Sequence, residues 1–302
     1  MATETVSKRY VDIDDWSTRN AVEAMFEGQL SAVAAVRPAL PAIAEAADAA
    51  AARLAAGGRL VYAGAGTSGR IAVQDGVELG PTFGWPADRL AYALAGGFGA
   101  LSKSAELAED DGDAARRDLD DIAMRESDVL VGVAASGRTP YTVAAVERAN
   151  AVGALTIGVS NNGGAPLLAA AQIGICAETG SEVIAGSTRM KAGTAQKAIL
   201  NILSTAIMIR CGRVYKGLMV DMVISNEKLQ ARAVAMIERL AAVDRSRAEA
   251  ALEAAGGDIK AGVLCALGAT PDEALALLEE NRNILRDALA AQARGAGRET
   301  HA

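Results

Sequence analysis

The chain has 302 residues, of which 51% are hydrophobic, with a net charge of −7 and a pI near 5.0. This length allows one large α/β domain with an appendage, or two modest domains. Since no cluster of Lys and Arg offsets the acidic surface, neither nucleic acid nor an anionic membrane surface is an expected partner.

Helices are predicted for the first 56 residues. The stretch Ile13–Thr18 carries short polar side chains suited to capping a helix, and Ser17 is one candidate. An alanine-rich helical pattern follows, in which Pro38 and Pro41 predict a bend between two helices. Gly57 and Gly58 end this pattern, so residues 1–56 are predicted to form an N-terminal helical segment.

Short apolar runs then alternate with helical patterns. The stretches between these runs are long enough for a helix, which favours right-handed βαβ crossovers. We therefore expect an α/β fold, a three-layer αβα sandwich with a five-stranded parallel sheet covered on both faces. The predicted strands are 59–63, 90–95, 129–134, 154–159 and 172–177.

Two of these strands run into matched loops rich in glycine and hydroxyl groups. Gly64–Arg70 follows the first strand, and Ala134–Tyr141 follows the third. Free N–H groups and the positive dipole end at a helix start favour anions, and Ser and Thr hydroxyls add donors. One such loop alone could serve only close packing. Two at the carboxyl edge of one sheet predict a phosphate site.

A third hydroxyl-rich helix start follows the last strand. Ser187 or Thr188 is predicted to cap a long apolar helix that runs to about Arg210. The turn could supply further phosphate or sugar contacts, or it could be an ordinary cap. The apolar faces of the helix predict burial, either centrally or against a second copy of the chain.

Beyond residue 240 the sequence changes to short, charged, amphipathic helices. Gly256-Gly257, Gly268 and Thr270-Pro271 separate them, which predicts a small three-helix subdomain over residues 241–302. The central catalytic domain is then expected to span residues 57–240.

The residue inventory limits the chemistry. The one histidine, His301, lies in the C-terminal tail, which excludes nucleophilic triads that contain histidine. Cys176, Cys211 and Cys265 lack metal-ligand spacing, so we expect no metal and a cytoplasmic protein with reduced thiols. No apolar run predicts a membrane-spanning helix.

Carboxylates are therefore the natural acid and base. Glu78 stands just before Gly80 and Pro81, where the helix should break, and Glu109 lies downstream of the second strand. A glutamate at a helix end in a partly apolar setting can act as an acid while its partner stays ionised. The pattern alone fits a solvated surface charge as well.

Several stretches resemble the N-acetylmuramic acid 6-phosphate etherases of the SIS phosphosugar-binding superfamily. The resemblance extends over almost the whole chain. It implies the SIS fold with a small ubiquitin-associated-like C-terminal subdomain, a homodimer, and no metal or organic cofactor. The stretches that carry it are Gly64–Arg70, Ala134–Tyr141, Gly186–Lys197, Leu218–Asp221 and Asn226–Leu229.

The resemblance also implies a reaction and a site. The D-lactyl ether of N-acetylmuramic acid 6-phosphate would be cleaved by elimination and then hydration, giving N-acetylglucosamine 6-phosphate and D-lactate. Glu78 matches the family's proton donor, and Glu109 matches its second catalytic glutamate. Glu182 would contact the sugar or shape the pocket. The other implied substrate contacts are Gly66, Thr67, Ser68, Ser136, Gly137 and Thr139 at the phosphate, with Ser187 and Thr188 near the sugar.

Two other classes remain open within the superfamily. A phosphosugar isomerase would share the fold and loops, but it normally needs a ring-opening base, often histidine. A non-catalytic phosphosugar sensor, similar to the glucokinase regulatory protein, would keep the loops and lose the carboxylates. The chain also departs from the family's Glu-Cys-Pro-Pro-Thr pattern, because Gly80 replaces a proline and is expected to loosen the aim of Glu78.

Overall fold

A computed structural model of the protein describes residues 1–103 and 106–299, so His301 lies outside the described residues. The chain divides into two compact units. The first comprises Met1–Val77 and Pro86–Ile207, and the second comprises Glu78–Trp85 and Met208–Ala302. The expected functional boundaries at residues 57 and 241 remain predictions.

The strands and helices are numbered in chain order. The strands are Leu60–Gly64 (β1), Leu90–Leu94 (β2), Val129–Val133 (β3), Leu155–Ser160 (β4), Ile173–Cys176 (β5), Val214–Tyr215 (β6) and Leu218–Met219 (β7). The helices are Thr18–Ala34 (α1), Leu40–Ala55 (α2), Gly66–Val77 (α3), Leu79–Phe83 (α4), Gly112–Asp121 (α5), Pro140–Ala151 (α6), Pro166–Ala170 (α7), Lys191–Arg210 (α8), Glu227–Ala241 (α9), Arg245–Ala254 (α10), Ile259–Ala266 (α11), Pro271–Glu280 (α12) and Leu285–Glu299 (α13).

The first unit is built on a parallel sheet with the order β2-β1-β3-β4-β5. All five predicted strands are confirmed to within one residue at each end: each is a short apolar run, buried throughout in β1, β3 and β4 and partly exposed in the edge strands β2 and β5. Strand order reverses between β1 and β3, the kind of position at which open α/β sheets hold ligands. Gly64 pairs with Val133, so the first two loops begin at the same level of the sheet.

Helices cover both faces of this sheet, which confirms the three-layer αβα sandwich. On one face, Val61 and Leu130 pack with Tyr141 and Ala145 of α6 in a buried cluster. On the other, the Tyr62 hydroxyl donates to Asp75 of α3 at 2.7 Å. Successive strand residues thus point to opposite layers, as the pleat requires.

The N-terminal helices follow the predicted bend. Ser17 caps α1 by accepting a hydrogen bond from the Asn20 N–H at 3.3 Å, and a 3-10 turn at Arg37–Ala39 separates α1 from α2. The stretch Thr18–Ala55 is long and apolar enough to cross a membrane by length and composition, with 33% of its most apolar window buried in the protein. Core helices of globular proteins meet the same criterion, so this is weak evidence for a span.

The second unit contains α4, the β6–β7 hairpin and α9 to α13 around its own apolar cluster, which includes Ile237, Leu252 and Leu264. The three predicted C-terminal helices are present as α10, α11 and α12. The last of them stops at Glu280, and α13 follows as a separate helix. The interruption comes from Arg282 and Asn283, whose φ angles of 55° and 58° lie in the left-handed region.

Candidate active site

The first loop joins β1 directly to α3. The two meet so closely that a methyl group on Gly64 would lie 3.1 Å from the Gly69 Cα atom, so side chains are excluded at this crossing. Gly66 begins the helix with a φ of +52°. Ser68 is buried and Thr67 is partly exposed. The first turn of α3 thus presents its N–H groups and two hydroxyls at the switch point of the sheet.

The second loop joins β3 to α6. Gly137 has a φ of +61°, and a methyl group there would lie 2.5 Å from the Ala165 Cβ and 2.6 Å from the Ser160 Oγ. Ser136 Oγ accepts a hydrogen bond from the Arg138 N–H at 3.1 Å. Thr139 occupies the cap position of α6 without a capping bond from its own hydroxyl. Its hydroxyl and the first helical N–H groups can therefore face an anion.

The third loop is built differently from the prediction. Helix α8 begins at Lys191, and neither Ser187 nor Thr188 caps it. Instead, Glu182, which is 0% exposed, accepts the backbone N–H groups of Lys191 and Ala192, each at 2.9 Å. The capping prediction is wrong because a carboxylate satisfies two N–H donors at once and suits the positive helix end better than a hydroxyl.

The Glu182 carboxylate also affects the neighbouring side chain of Lys191. Burial lowers the pKa of the Lys191 ammonium, while the Glu182 carboxylate works in the opposite direction. Lys191 Nζ donates to the Ser181 carbonyl at 2.9 Å. Both oxygens of Glu182 serve backbone donors. Of its two predicted roles, this geometry favours shaping the pocket.

The first and third loops lie side by side. A methyl group on Gly193, in the first turn of α8, would lie 3.7 Å from Thr67 Cγ2 and 3.4 Å from the Thr188 carbonyl oxygen. Asp75 holds the two helices together farther along. Its carboxylate accepts from Asn201 Nδ2 at 2.6 Å and Ser204 Oγ at 3.1 Å, both on α8, besides Tyr62. Asp75 is not among the residues that the sequence pattern predicts.

Glu109 lies over the first loop. It belongs to a 3-10 helix at Glu106–Asp110, and its side chain is partly buried. A methyl group on Gly66 would stand 2.7 Å from Glu109 Oε1, so the carboxylate reaches the first turn of α3. One of the two predicted catalytic residues is thus brought to the predicted phosphate loop.

Glu78 belongs to the second unit. It stands at the junction between α3 and α4, exposed, and its side chain makes no capping bond. The expected helix break is present at Glu78 itself, whereas Gly80 and Pro81 continue into α4. The Glu78 carboxylate therefore lies exposed at a turn.

Two asparagines at the end of β4 are also absent from the residues predicted from sequence. Asn161 accepts from Gln196 Nε2 at 3.0 Å and donates to the Ala177 carbonyl at 3.1 Å. Asn162 Nδ2 donates to the Ala135 carbonyl at 2.9 Å and the Thr3 Oγ1 at 3.2 Å. These amides fasten the second loop to its neighbours. The sequence feature that could have identified these asparagines is the Ser-Asn-Asn-Gly-Gly run at the end of a strand, because such runs are typical of functional turns.

The N-terminal segment completes this edge of the first unit. Thr3 is fully buried, and its carbonyl accepts the Gly186 N–H at 3.1 Å, at the start of the third loop. A cavity of about 400 Å³ opens beside it, with Arg138, Asn161, Asn162 and Glu178 among its lining residues. The cavity is thus lined by the N-terminal segment, by Arg138 of the second loop and by the segments that follow β4 and β5, and it is of sugar-phosphate size.

The chain is similar to known families and to a solved structure. A family profile described as the glucokinase regulatory protein N-terminal SIS domain matches residues 42–150, and one described as the SIS domain matches residues 104–206. The solved structure of a phosphoheptose isomerase from Francisella tularensis is 20% identical with a TM-score of 0.48, covering 64% of this chain and 98% of that one.

Curated relatives are much closer in sequence. The N-acetylmuramic acid 6-phosphate etherase of Deinococcus radiodurans is 46% identical over 278 residues, which are 92% of this chain and 91% of the relative. The etherase of Symbiobacterium thermophilum is 48% identical over 267 residues, 88% of this chain and 89% of that protein. Identity at this level over nearly full length shows the family. The chain therefore belongs to the N-acetylmuramic acid 6-phosphate etherases, within the SIS superfamily.

Proposed function

We propose that the protein cleaves the D-lactyl ether of N-acetylmuramic acid 6-phosphate to N-acetylglucosamine 6-phosphate and D-lactate, as a carbon–oxygen lyase of amino sugar and cell-wall recycling. Membership of the etherase family supports the reaction. Within the molecule, the observation that carries it is the Glu109 carboxylate over the first turn of α3, the turn that also contains Thr67 and Ser68.

The phosphate is bound by the helix starts at the switch point. Backbone N–H groups of α3 and α6, with the hydroxyls of Thr67, Ser68, Ser136 and Thr139, supply the donors. Gly66 and Gly137 provide the backbone shapes that bring these donors together. Ser187 and Thr188 contact the sugar. Glu182 acts indirectly, because it fixes the start of α8 and with it the third loop.

Glu78 and Glu109 carry out the proton transfers. One carboxylate removes the proton from C2 of the sugar, the C3–O bond breaks, and the other carboxyl gives its proton to the departing lactyl oxygen. The C2=C3 double bond then takes up water, with hydroxide adding at C3 and a proton returning to C2. The two residues exchange tasks in this second half, so the enzyme ends in its starting state.

A coupled D-lactate assay tests the proposal with the wild type, Glu78→Gln and Glu109→Gln. Each variant keeps the size of the side chain but loses acid–base capacity, so we expect kcat to fall about a hundredfold or more. Glu45→Gln and Glu253→Gln are matched controls, because both glutamates are exposed, one in each unit, and should keep wild-type rates.

The same assay separates the alternatives. Isomerisation of the sugar phosphate without lactate release would identify an isomerase. No turnover by the wild type, together with a raised Tm in the presence of the sugar phosphate, would identify a sensor. Either result would refute the etherase.

We also propose that the protein is a homodimer. The apolar faces of helix α8 predicted burial either centrally or against a second copy. In the structure, the chain itself buries Ile199, Leu200 and Leu203. A different apolar stripe lies on α1. It consists of four residues that are each 54–61% exposed: Val22, Phe26, Leu30 and Val33. They recur every three or four residues on one side of the helix. Pairing with the same stripe of a second copy would bury them.

Light scattering of Phe26→Asp tests the dimer. We expect the wild type to have twice the monomer mass and the variant to dissociate, because a charge at a packed apolar interface is strongly unfavourable. Leu275→Asp is the control, since Leu275 is a comparably exposed apolar residue of the second unit. A wild type that runs as a monomer and pellets with anionic vesicles would assign the stripe to a membrane surface instead.

We place the protein in the cytoplasm, because Cys176 and Cys265 are free thiols in the structure, as expected in a reducing compartment. Cell fractionation with an antibody to the chain tests this, and recovery from an oxidising compartment would contradict it.

A further inference from the structure

The second unit contains a fully buried lysine. Lys260 on α11 is 0% exposed, its Nζ donates to the Asn283 carbonyl at 2.7 Å, and it lies 2.5 Å from Asp221 Oδ2. Lysine is rarely buried completely unless it is paired. Burial lowers the pKa of Lys260 and raises that of Asp221, while the attraction between the two charges opposes both changes. The pair thus joins α11 to the turn that follows β7.

Asp221 in turn contacts the end of α4. Its carbonyl oxygen would lie 2.3 Å from a methyl group placed on Gly84, the residue that terminates α4 with a φ of +60°. The Val223 N–H donates to the Pro81 carbonyl at 3.2 Å. The backbone on both sides of Asp221 therefore lies directly against α4.

Arg213 connects the same two segments. Its guanidinium lies 3.8 Å from Asp221 Oδ1 and donates to the carbonyls of Phe83 at 3.4 Å and Gly84 at 3.3 Å. It also stacks over the Trp85 ring at 5.6 Å. The Asp221 carboxylate thus interacts with Lys260 on one side and, on the other, with Arg213, which contacts the end of α4.

Helix α4 needs such support. It is five residues long, too short to be stable alone, and Glu78 immediately precedes it. The Glu78 carbonyl accepts the Thr82 N–H at 3.2 Å, but its side chain makes no capping bond. The direction of the Glu78 carboxylate is therefore set by the backbone of α4 and by whatever fixes that backbone.

We propose that Lys260 is a positioning residue for Glu78: the C-terminal helices supply a buried ammonium that holds Asp221 and Arg213 against α4 and so aims the carboxylate. This rests on the proposed role of Glu78 in lactyl ether cleavage. It gives the C-terminal helices a part in the reaction although none of their side chains need touch the substrate.

The test is a double-mutant cycle on lactate release. We expect Lys260→Met to lower kcat tenfold or more while changing KM less than twofold, because the phosphate loops lie in the other unit. In the Glu78→Gln background the same change should alter the residual rate less than twofold, since the carboxylate that it aims is already lost. Lys216→Met, an exposed lysine of the same unit, is the matched control.

A second variant serves as the control for loss of folding. Removing one partner of a buried pair destabilises strongly, whereas replacing both partners with apolar residues is often tolerated. Lys260→Met with Asp221→Leu should therefore fold, as judged by circular dichroism, and still turn over slowly. Wild-type kcat in either folded variant, or an equal fall in rate with and without Glu78, would overturn the proposal, as would failure of both variants to fold. An inactive wild type would instead refute the proposed function and this role with it.

Discussion

A buried ion pair is found in each unit, and the two pairs differ in where they lie. In the first unit, Asp128 pairs with Arg59 at 2.6 Å, just before β3 and β1 begin, at the amino edge of the sheet. The first and second loops stand at the opposite edge, one strand length away. In the second unit, Asp221 and Lys260 lie against the helix that follows Glu78. A buried charge pair is weak evidence of function by itself. Its distance from a reacting group decides whether rate or only stability depends on it.

The largest expected effect comes from breaking the first pair. Asp128→Asn should lower the free energy of unfolding by about 3 kcal/mol at neutral pH, because it leaves Arg59 without its buried partner. Its kcat should stay within twofold of wild type while the protein is folded. Chemical denaturation measures the free energy of unfolding, and the lactate assay measures kcat. A tenfold fall in kcat would show that the reaction rate depends on the Asp128–Arg59 pair as well.

The pH dependence sharpens the same contrast. Burial alone would raise the pKa of Asp128, but hydrogen bonds from the Arg59 side chain and from the Arg59 and Arg125 N–H groups hold it below its usual value. The stabilisation is therefore complete above the ordinary aspartate pKa of about 4 and is lost as pH falls through the lowered value. Unfolding at pH 2 to 5 should show a steeper loss for the wild type than for Asp128→Asn.

A smaller effect is expected where Glu109 meets the first loop. Gly66→Ala places a methyl group 2.7 Å from Glu109 Oε1 and should lower kcat about tenfold by displacing the carboxylate, at a stability cost of about 1 kcal/mol for the positive φ. Gly57→Ala is the control, since it also has a positive φ but nothing within 4 Å. Equal kcat in the two variants would show that Glu109 does not act from this position.

The smallest effect concerns Gly80, where the family pattern has proline. A methyl group there would meet only the Trp85 carbonyl oxygen, at 3.8 Å, so Gly80→Ala has room in α4. We expect about 0.5–1 kcal/mol of added stability from helix propensity and no loss of kcat. Gly84→Ala is the opposite case, because its methyl group would meet the Asp221 carbonyl at 2.3 Å. A Gly80→Ala protein slower than wild type would mean that Glu78 needs a mobile turn.

The strands and the first two loops could be predicted because their signals are local. A buried parallel strand is a short apolar run, and the glycines of Gly64–Arg70 and Ala134–Tyr141 stand beside the structure that needs them. The start of α8 could not be predicted, because the carboxylate that caps it lies nine residues upstream at Glu182. The bond from Asn162 to Thr3 crosses 159 residues. Lys260 on α11 pairs with Asp221 in the turn after β7, and no local pattern in the sequence indicates that these two residues meet.

The second unit takes its α4 segment from the middle of the first unit's sequence, and this affects how the protein is made. On the ribosome, Glu78 emerges about 180 residues before Lys260, which at about 5–20 residues per second is roughly 10–40 s of synthesis. During that time the sheet and its loops can form, while the turn that bears Glu78 waits for Arg213, Asp221 and Lys260. A chain cut short by premature termination would therefore keep the first and second loops but lack the contacts that support α4, which, on the proposed role of Glu78, makes completion of translation a condition for catalysis.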